Sequence, residues 1–165
     1  MNYYERVFKR LREEKVDYLI AGGVAVNLYG VPRFTKDLDI LIGSSGENLR
    51  RLAKAVTALG YRPRPPVPLS DFLNPRNWSK WRRQKGMRAF ALFHPKRPIE
   101  EIDLLVHSGI PFAEAKGRRS TVYFEGLRLH VVSIDDLMRM KRKAGRLQDL
   151  ADIEALEKVK KARRK

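Results

Sequence analysis

The sequence has no cysteine in 165 residues. That excludes disulfides and thiolate metal sites, and it suits a reducing compartment. Histidine is scarce: His94, His107 and His130 lie in separate segments, so no imidazole metal site is spelled out, and each reads as structural or surface. No apolar run approaches the length of a membrane span, and the opening stretch MNYYERVFKRLREEK is amphipathic and charged, with no apolar core of a leader. The expectation is a soluble, cytoplasmic protein with no membrane partner. Internal repeats are absent. Acidic residues are also in short supply. There are 19 against 35 Lys and Arg, for a net charge of +16. Such a field attracts polyanions, nucleic acid first among them. A generally charge-rich protein from a hot environment would also fit, and composition does not choose between the two.

What is present suits one domain spanning 1–165, with a core over about 1–132, a C-terminal helical part over about 133–160 and a basic tail over 161–165. Tyr3, Tyr4, Val7, Phe8 and Leu11 recur at helical spacing. DYLIAGG (17–23) reads as a buried strand ended by a glycine turn, and VAVNLYG (24–30) as a short helix closed by Gly30. DLDILI (37–42) is a second strand, and 47–59 a helix. Residues 61–85 are rich in proline and arginine, predicting an extended loop and then a short helix with Pro75 near its start. Strands follow at 87–93 and 99–106, joined by HPKRP, then a hairpin over 120–132 around Glu125-Gly126. Ser133 followed by Asp136 predicts a helix N-cap, Gly145 an interruption, and Leu147, Leu150, Ile153 and Leu156 one face of a last helix, with KKARRK a frayed tail. The sum is an α+β domain: a mixed sheet flanked by helices, with further helices at the C-terminus.

The informative stretch is RFTKDLDILI (33–42). Side chains at i and i+2 of a strand share a face, so Asp37 and Asp39 stand side by side. Unpaired, two such carboxylates repel and one holds a proton. A divalent cation removes the conflict, and oxygen-only ligands suit Mg²⁺ or Mn²⁺. Asp103, in EIDLLV, is the only other aspartate in a strand-like apolar run. If 99–106 lies beside 37–42, it completes a triad that can hold two ions about 3.5–4 Å apart, a clamp for phosphoryl transfer. The plainer alternative has Asp37 paired with Lys36 or Arg33 and Asp103 capping a turn. Three aspartates in apolar strands, after a Gly-Gly turn, favour the metal site. Gly22 and Gly23 follow a strand and precede a helix, where backbone amides make a phosphate-binding corner.

Together, the glycine pair, the DLD strand and the later ID resemble the DNA polymerase β-type nucleotidyltransferase superfamily. The fuller AGGVAVNLYGVPRFTKDLDILI, the segment from Trp81 to Gly86, and MKRKAGRLQDLADIEAL (140–156) are similar to its minimal branch related to the AbiEii toxins. The resemblance implies that Gly22 and Gly23 contact a nucleoside triphosphate and that Asp37, Asp39 and Asp103 bind two Mg²⁺. It implies that Arg33, Thr35 and Lys36 reach nucleotide phosphates, and that Lys141 and Arg146 face the triphosphate, oriented by Asp149 and Asp152. The alternative for the last four is ordinary pairing on a solvated helix. Val24 follows the glycines, so the serine hydroxyl found there in other members is missing.

The expected reaction is attack of an acceptor hydroxyl on the α-phosphate of an NTP, releasing pyrophosphate. From Tyr61 to Pro98 the chain has ten basic residues and one acidic, interleaved with Phe72, Trp78 and Trp81, and from Arg139 to Lys165 eleven basic against four. Basic residues bind phosphates and aromatics stack on bases, so an RNA acceptor, such as a tRNA 3′ end, is expected. Core packing is the competing fate of the tryptophans. Alternatives are a protein hydroxyl, in an AMPylating-type toxin–antitoxin component with a cognate partner, and a non-catalytic basic RNA-binding module. A small-molecule acceptor would not need +16.

Overall fold

Short β-branched runs bounded by glycine or charged turns become strands, and stretches with apolar residues three and four apart become helices. The computed structural model describes residues 2–64 and 67–165. Helix α1 (Tyr3–Glu13) starts at Asn2, whose side chain accepts from the amide of Glu5, and turns Val7, Phe8 and Leu11 inward. There follow β1 (Tyr18–Ile20), α2 (Gly22–Leu28), β2 (Asp37–Ile42) and α3 (Gly46–Ala58). Next come β3 (Arg62–Pro63), α4 (Leu69–Phe72), α5 (Pro75–Lys85), β4 (Ala89–His94) and β5 (Arg97–Leu105). The chain ends with α6 (Phe112–Gly117), β6 (Ser120–Phe124), β7 (Leu127–Val131), α7 (Ile134–Ala144) and α8 (Leu147–Arg163).

Among the described residues the strands form one mixed sheet of order β3-β4-β5-β2-β1-β7-β6. Strand β2 sits near the middle, antiparallel to β1 and parallel to β5, and β5 is antiparallel to β4. The pleat separates two chemistries. Leu38, Ile40 and Ile42 of β2, Ile102 and Leu104 of β5, and Phe90 and Leu92 of β4 are buried in the core. Each such side chain contributes about 1.5–3 kcal/mol on burial. The odd-numbered residues of β2 and β5 point the other way, and there the chain places carboxylates. The hydrophobic face therefore fixes the register, since a slip of one residue would drive the aspartates into the core.

The predicted hairpin forms with Glu125 and Gly126 both at positive φ, as a tight turn matching the strand twist requires. The Ser133 hydroxyl caps α7 by accepting from the amide of Asp136, and Gly145, at φ +66°, ends it. Several expectations are corrected. Helix α2 begins at Gly22 itself rather than after the glycine pair. Only Pro95 and Lys96 join β4 to β5, since Arg97 and Pro98 already belong to the strand. The short β3, α4 and α6 carry too little periodicity to be foreseen. Part of the proline-rich loop, Pro65-Pro66, lies outside the described residues. The basic tail is not frayed from Lys160: α8 runs to Arg163, whose guanidinium lies over the Tyr29 ring. Leu147 and Leu150 are exposed, while Ile153 and Leu156 are buried. A strict three-residue spacing drifts around a 3.6-residue helix, so these four do not share a face. The inward positions ahead of Ile153 are Asp149 and Asp152.

Of the aromatic residues assigned to base stacking, Phe72 and Trp81 are packed inside and Trp78 is half-buried against them. Trp81 stacks on Phe90, Trp78 stacks on Phe72 and donates its indole N–H to the Phe72 carbonyl, and Phe72 is fully buried. Proline at N1 and Gly86 in the left-handed conformation fix the two ends of α5, so its one apolar stripe meets β4 and its arginines and lysines stay outside. Among the described residues no helix is long and apolar enough to cross a membrane.

Candidate active site

Strands β2 and β5 run parallel with Asp39 opposite Asp103 and Asp37 opposite Glu101. Four carboxylates thus share one face of two adjacent strands. Glu101 escaped the sequence reading, although the same period of two that groups Asp37 with Asp39 groups Glu101 with Asp103. Its side chain bonds Lys36 at 3.0 Å and also pairs with Arg64.

Crowding and burial shift these groups. Asp39 is pushed up to about 7, first by burial, then by Asp103 and Asp37, with Lys141 and Arg146 pulling the other way. Asp103 is pushed up to about 6 by burial, Asp37 and Glu101. Asp37 is raised by burial and by its hydrogen bond to Glu101. For Glu101 burial acts upward, but the Lys36 and Arg64 cations and the Asp37 hydrogen bond hold it below its usual value. Asp37 Oδ1 is buried and has no hydrogen-bond partner among the described residues. An orphaned buried oxygen of this kind costs about 1–3 kcal/mol. Among the described residues no three acidic or imidazole side chains already converge on one ligation point.

The glycines have a steric reason to be glycine. Gly22 has φ +59°, and a Cβ there would lie 1.9 Å from Asp39 Oδ2. A Cβ on Gly23 would lie 2.4 Å from Thr35 Oγ1. The start of α2 is therefore pressed against Asp39 on one side and the 31–36 loop on the other, with its first amides free of intrahelical partners.

A cavity of about 280 Å³ opens beside the pair, lined by Gly22, Asp39 and Asp103 and by Lys141, Lys143 and Arg146. The structure thus brings Gly22, Asp39, Asp103, Lys141 and Arg146 together. Gly23, Asp37 and the loop residues Arg33, Thr35 and Lys36 do not line this cavity. Arg33 Nη1 bonds Asp152 Oδ2 at 2.5 Å, Lys36 is paired with Glu101, and the Thr35 hydroxyl is 3.4 Å from the Asp37 carbonyl.

Asp149 and Asp152 lie on a buried turn of α8, not a solvated one. Lys141 Nζ, itself buried, donates to Asp152 at 2.6 Å and to Asp149 at 3.3 Å. Arg146 donates its backbone N–H and its Nε to Asp149, and Gln148 donates to Asp152. Burial presses both carboxyls upward, but these donors outweigh it and hold them below the usual carboxylate range. The network joins the loop before β2, through Arg33, to α7 and α8.

A sequence profile of the nucleotidyl transferase AbiEii toxin family, of type IV toxin–antitoxin systems, matches residues 9–162. The chain belongs to that family. It is a nucleotidyltransferase by descent, and its α+β sheet is the nucleotidyltransferase fold. The lincosamide antibiotic adenylyltransferase LnuA, solved with lincomycin bound, is similar over 95% of this chain and 96% of its own, at 14% identity and a TM-score of 0.61. ANT(2'')-Ia, an antibiotic-resistance factor also solved with adenylyl-2''-tobramycin, is similar over 98% of this chain and 89% of its own, at 15% identity and a TM-score of 0.62. The Thermotoga maritima protein TM1012, assigned to the nucleotidyltransferases, is similar over 92% of this chain and 88% of its own, at 15% identity and a TM-score of 0.57. At these identities the likeness is one of fold. No curated protein sequence matches the chain.

Proposed function

We propose that this AbiEii-family chain transfers a nucleoside monophosphate from an NTP to a hydroxyl of an RNA strand, tRNA-like at its acceptor end, releasing pyrophosphate in the cytoplasm. The observation that carries the reading is the Asp39–Asp103 pair, adjacent across parallel strands beside Gly22 on the wall of a basic cavity.

The donor set fits hard divalent cations: oxygen ligands only, raised carboxyls whose protons a cation would displace, and an orphaned Asp37 oxygen. Asp37, Asp39 and Asp103 would hold two Mg²⁺ or Mn²⁺, which when bound supply charge neutralisation at the reacting phosphate. The chain's own residues do the positioning. The free amides of Gly22 and Gly23 would bind the β- and γ-phosphates. Lys141 and Arg146, fixed by Asp149 and Asp152, would face the triphosphate with their geometry set in advance. Asp103 would accept the proton of the attacking hydroxyl at its carboxylate. Arg33, Thr35 and Lys36 would act by shaping the loop against Gly23 and, on opening of their ion pairs, by reaching the nucleotide.

For the acceptor, support comes from charge alone, since Phe72 and Trp81 are core residues and the half-buried Trp78 is stacked on Phe72. The net charge of +16 favours a polyanion. A second reading is a small-molecule hydroxyl, favoured by the fold neighbours solved with lincomycin and with an adenylylated tobramycin. A protein hydroxyl, with a cognate antitoxin controlling the activity, follows from the family's toxin–antitoxin character.

The test is label transfer from each α-³²P NTP, with Mg²⁺ or Mn²⁺, to total RNA, protein extract and aminoglycosides, for the native chain and Asp39→Asn. Label on RNA from the native chain alone is the expected result and names the base. Label on protein or on the antibiotic moves the acceptor. Absence of label everywhere, with RNA affinity unchanged in Asp39→Asn, leaves an RNA-binding module.

A further inference from the structure

Most basic residues around the carboxylates are neutralised: Arg33 by Asp152, Lys36 by Glu101, Lys141 and Arg146 by Asp149. Three are not. Arg82 on α5, Arg88 just before β4 and Lys143 in the last turn of α7 make no ion pair among the described residues. They gather around His107, which follows β5. Arg82 Nη1 lies 3.0 Å from His107 Nδ1, and Lys143 Nζ lies 2.8 Å from His107 Nε2.

That arrangement is unsatisfied as it stands. A neutral imidazole has one lone pair and one N–H. It can accept from one of the two cations, and toward the other it must point a donor at a donor. A protonated ring would point donors at both. Burial, Lys143, Arg82 and Arg88 together push the His107 pKa down. One anion seated among the three cations would give the donors that now crowd His107 an acceptor. The backbone also makes room for the cluster: Gly109 has φ +79°, and a Cβ there would lie 2.8 Å from Lys143 Nζ.

The position says which anion. Arg88, His107 and Lys143 line the same cavity as Asp39 and Asp103. His107 also lines a second cavity of about 410 Å³ with Arg82, so it stands where the two adjoin. In the sheet, Gly22 follows β1 on one flank of β2, whereas β5 and β4, which lead to His107 and follow Arg88, lie on the other. The cluster is on the Asp103 side. We infer that Arg82, Arg88, His107 and Lys143 form a binding site for a phosphate group of the acceptor strand, leading its hydroxyl to Asp103. The assignment to an acceptor rests on the proposed transfer reaction; the phosphate site itself does not.

The test is ¹⁵N NMR of the full chain with labelled histidines, the His107 signals assigned by His107→Gln. Inorganic phosphate is titrated in at pH 7.5, with no NTP and no metal. The expected result is saturable movement of both His107 ring nitrogens toward imidazolium positions, with affinity about tenfold weaker in Arg82→Gln and in Lys143→Gln. No movement at tens of millimolar phosphate overturns the site, whatever the fate of the transfer assay. A 5′-phosphorylated RNA oligonucleotide and a Mg²⁺–NTP analogue with an uncleavable α–β linkage are then compared as competitors of phosphate. Displacement by the oligonucleotide supports the acceptor assignment. Displacement by the nucleotide alone overturns it and gives the cluster to the triphosphate.

Discussion

Asp39 is half-buried on the cavity wall, with a carboxyl pushed up to about 7. Because its folded pKa is raised above the ordinary 3.8, the folded chain holds this proton more tightly than the unfolded one. The stability it contributes is full below 3.8 and is lost as pH rises through about 7. In chelator at pH 8, Asp39→Asn should therefore be more stable than the native chain by on the order of 4 kcal/mol, at about 1.4 kcal/mol per pKa unit. The gap should close toward pH 4, and calorimetry across that range checks it. Adding Mg²⁺ at pH 8 should raise the melting temperature of the native chain and leave the variant unmoved. Gly22 is the other decisive residue. Gly22→Ala puts a methyl into Asp39 Oδ2 at a backbone conformation that costs about 1–2 kcal/mol. Nucleotidyl transfer should fall by about a hundredfold or more, since an ångström of misplacement suffices. A circular dichroism spectrum should remain native.

At the scale of elements, α8 is the instructive case. Its inward face starts with two carboxylates, which a search for apolar spacing passes over in favour of the exposed Leu147 and Leu150. Asp152→Ala would leave Lys141 buried with one partner and free Arg33 from α8. The expected cost is about 1.5–3 kcal/mol in denaturant unfolding, the loss of a charged hydrogen bond rather than of the whole pairing, since Asp149 remains. Helix α5 makes the opposite point. Its sequence interleaves tryptophan with arginine in a way that resembles a nucleic-acid surface, yet the helical twist sends Trp81 onto Phe90 of β4, Trp78 onto Phe72 of α4 and the charges to solvent. Trp81→Ala should cost about 3–5 kcal/mol of stability. RNA affinity, measured by filter binding at a temperature where the variant is folded, should not change.

The whole molecule is a positively charged body, with a net charge of +16, and seven of its carboxylates are concentrated on β2, β5 and the inward turn of α8. If the acceptor is RNA, association should weaken steeply with salt, the logarithm of affinity falling in proportion to the number of phosphates neutralised. A titration between 50 and 200 mM KCl checks this, and a flat response would favour an uncharged acceptor. The charge also explains why few surface ion pairs would matter to the fold, since exposed pairs contribute about 0–1 kcal/mol each.

By itself the sequence determined the local structure and much of the chemistry. The period of two in DLDILI put both aspartates on one face, because the alternate leucine and isoleucines must enter the core. Ser133, Gly145 and Glu125-Gly126 marked ends and turns, because their backbone demands are local. Tertiary structure alone decided which distant groups meet. Asp39 faces Asp103 through a parallel pairing that no local signal encodes, and the same pairing brings in Glu101. Folding also gathers Arg82 of α5, Lys143 of α7 and Arg88 of the segment before β4 around the imidazole of His107. Burial then sets the protonation of these groups, because desolvation depends on what the rest of the chain packs against them.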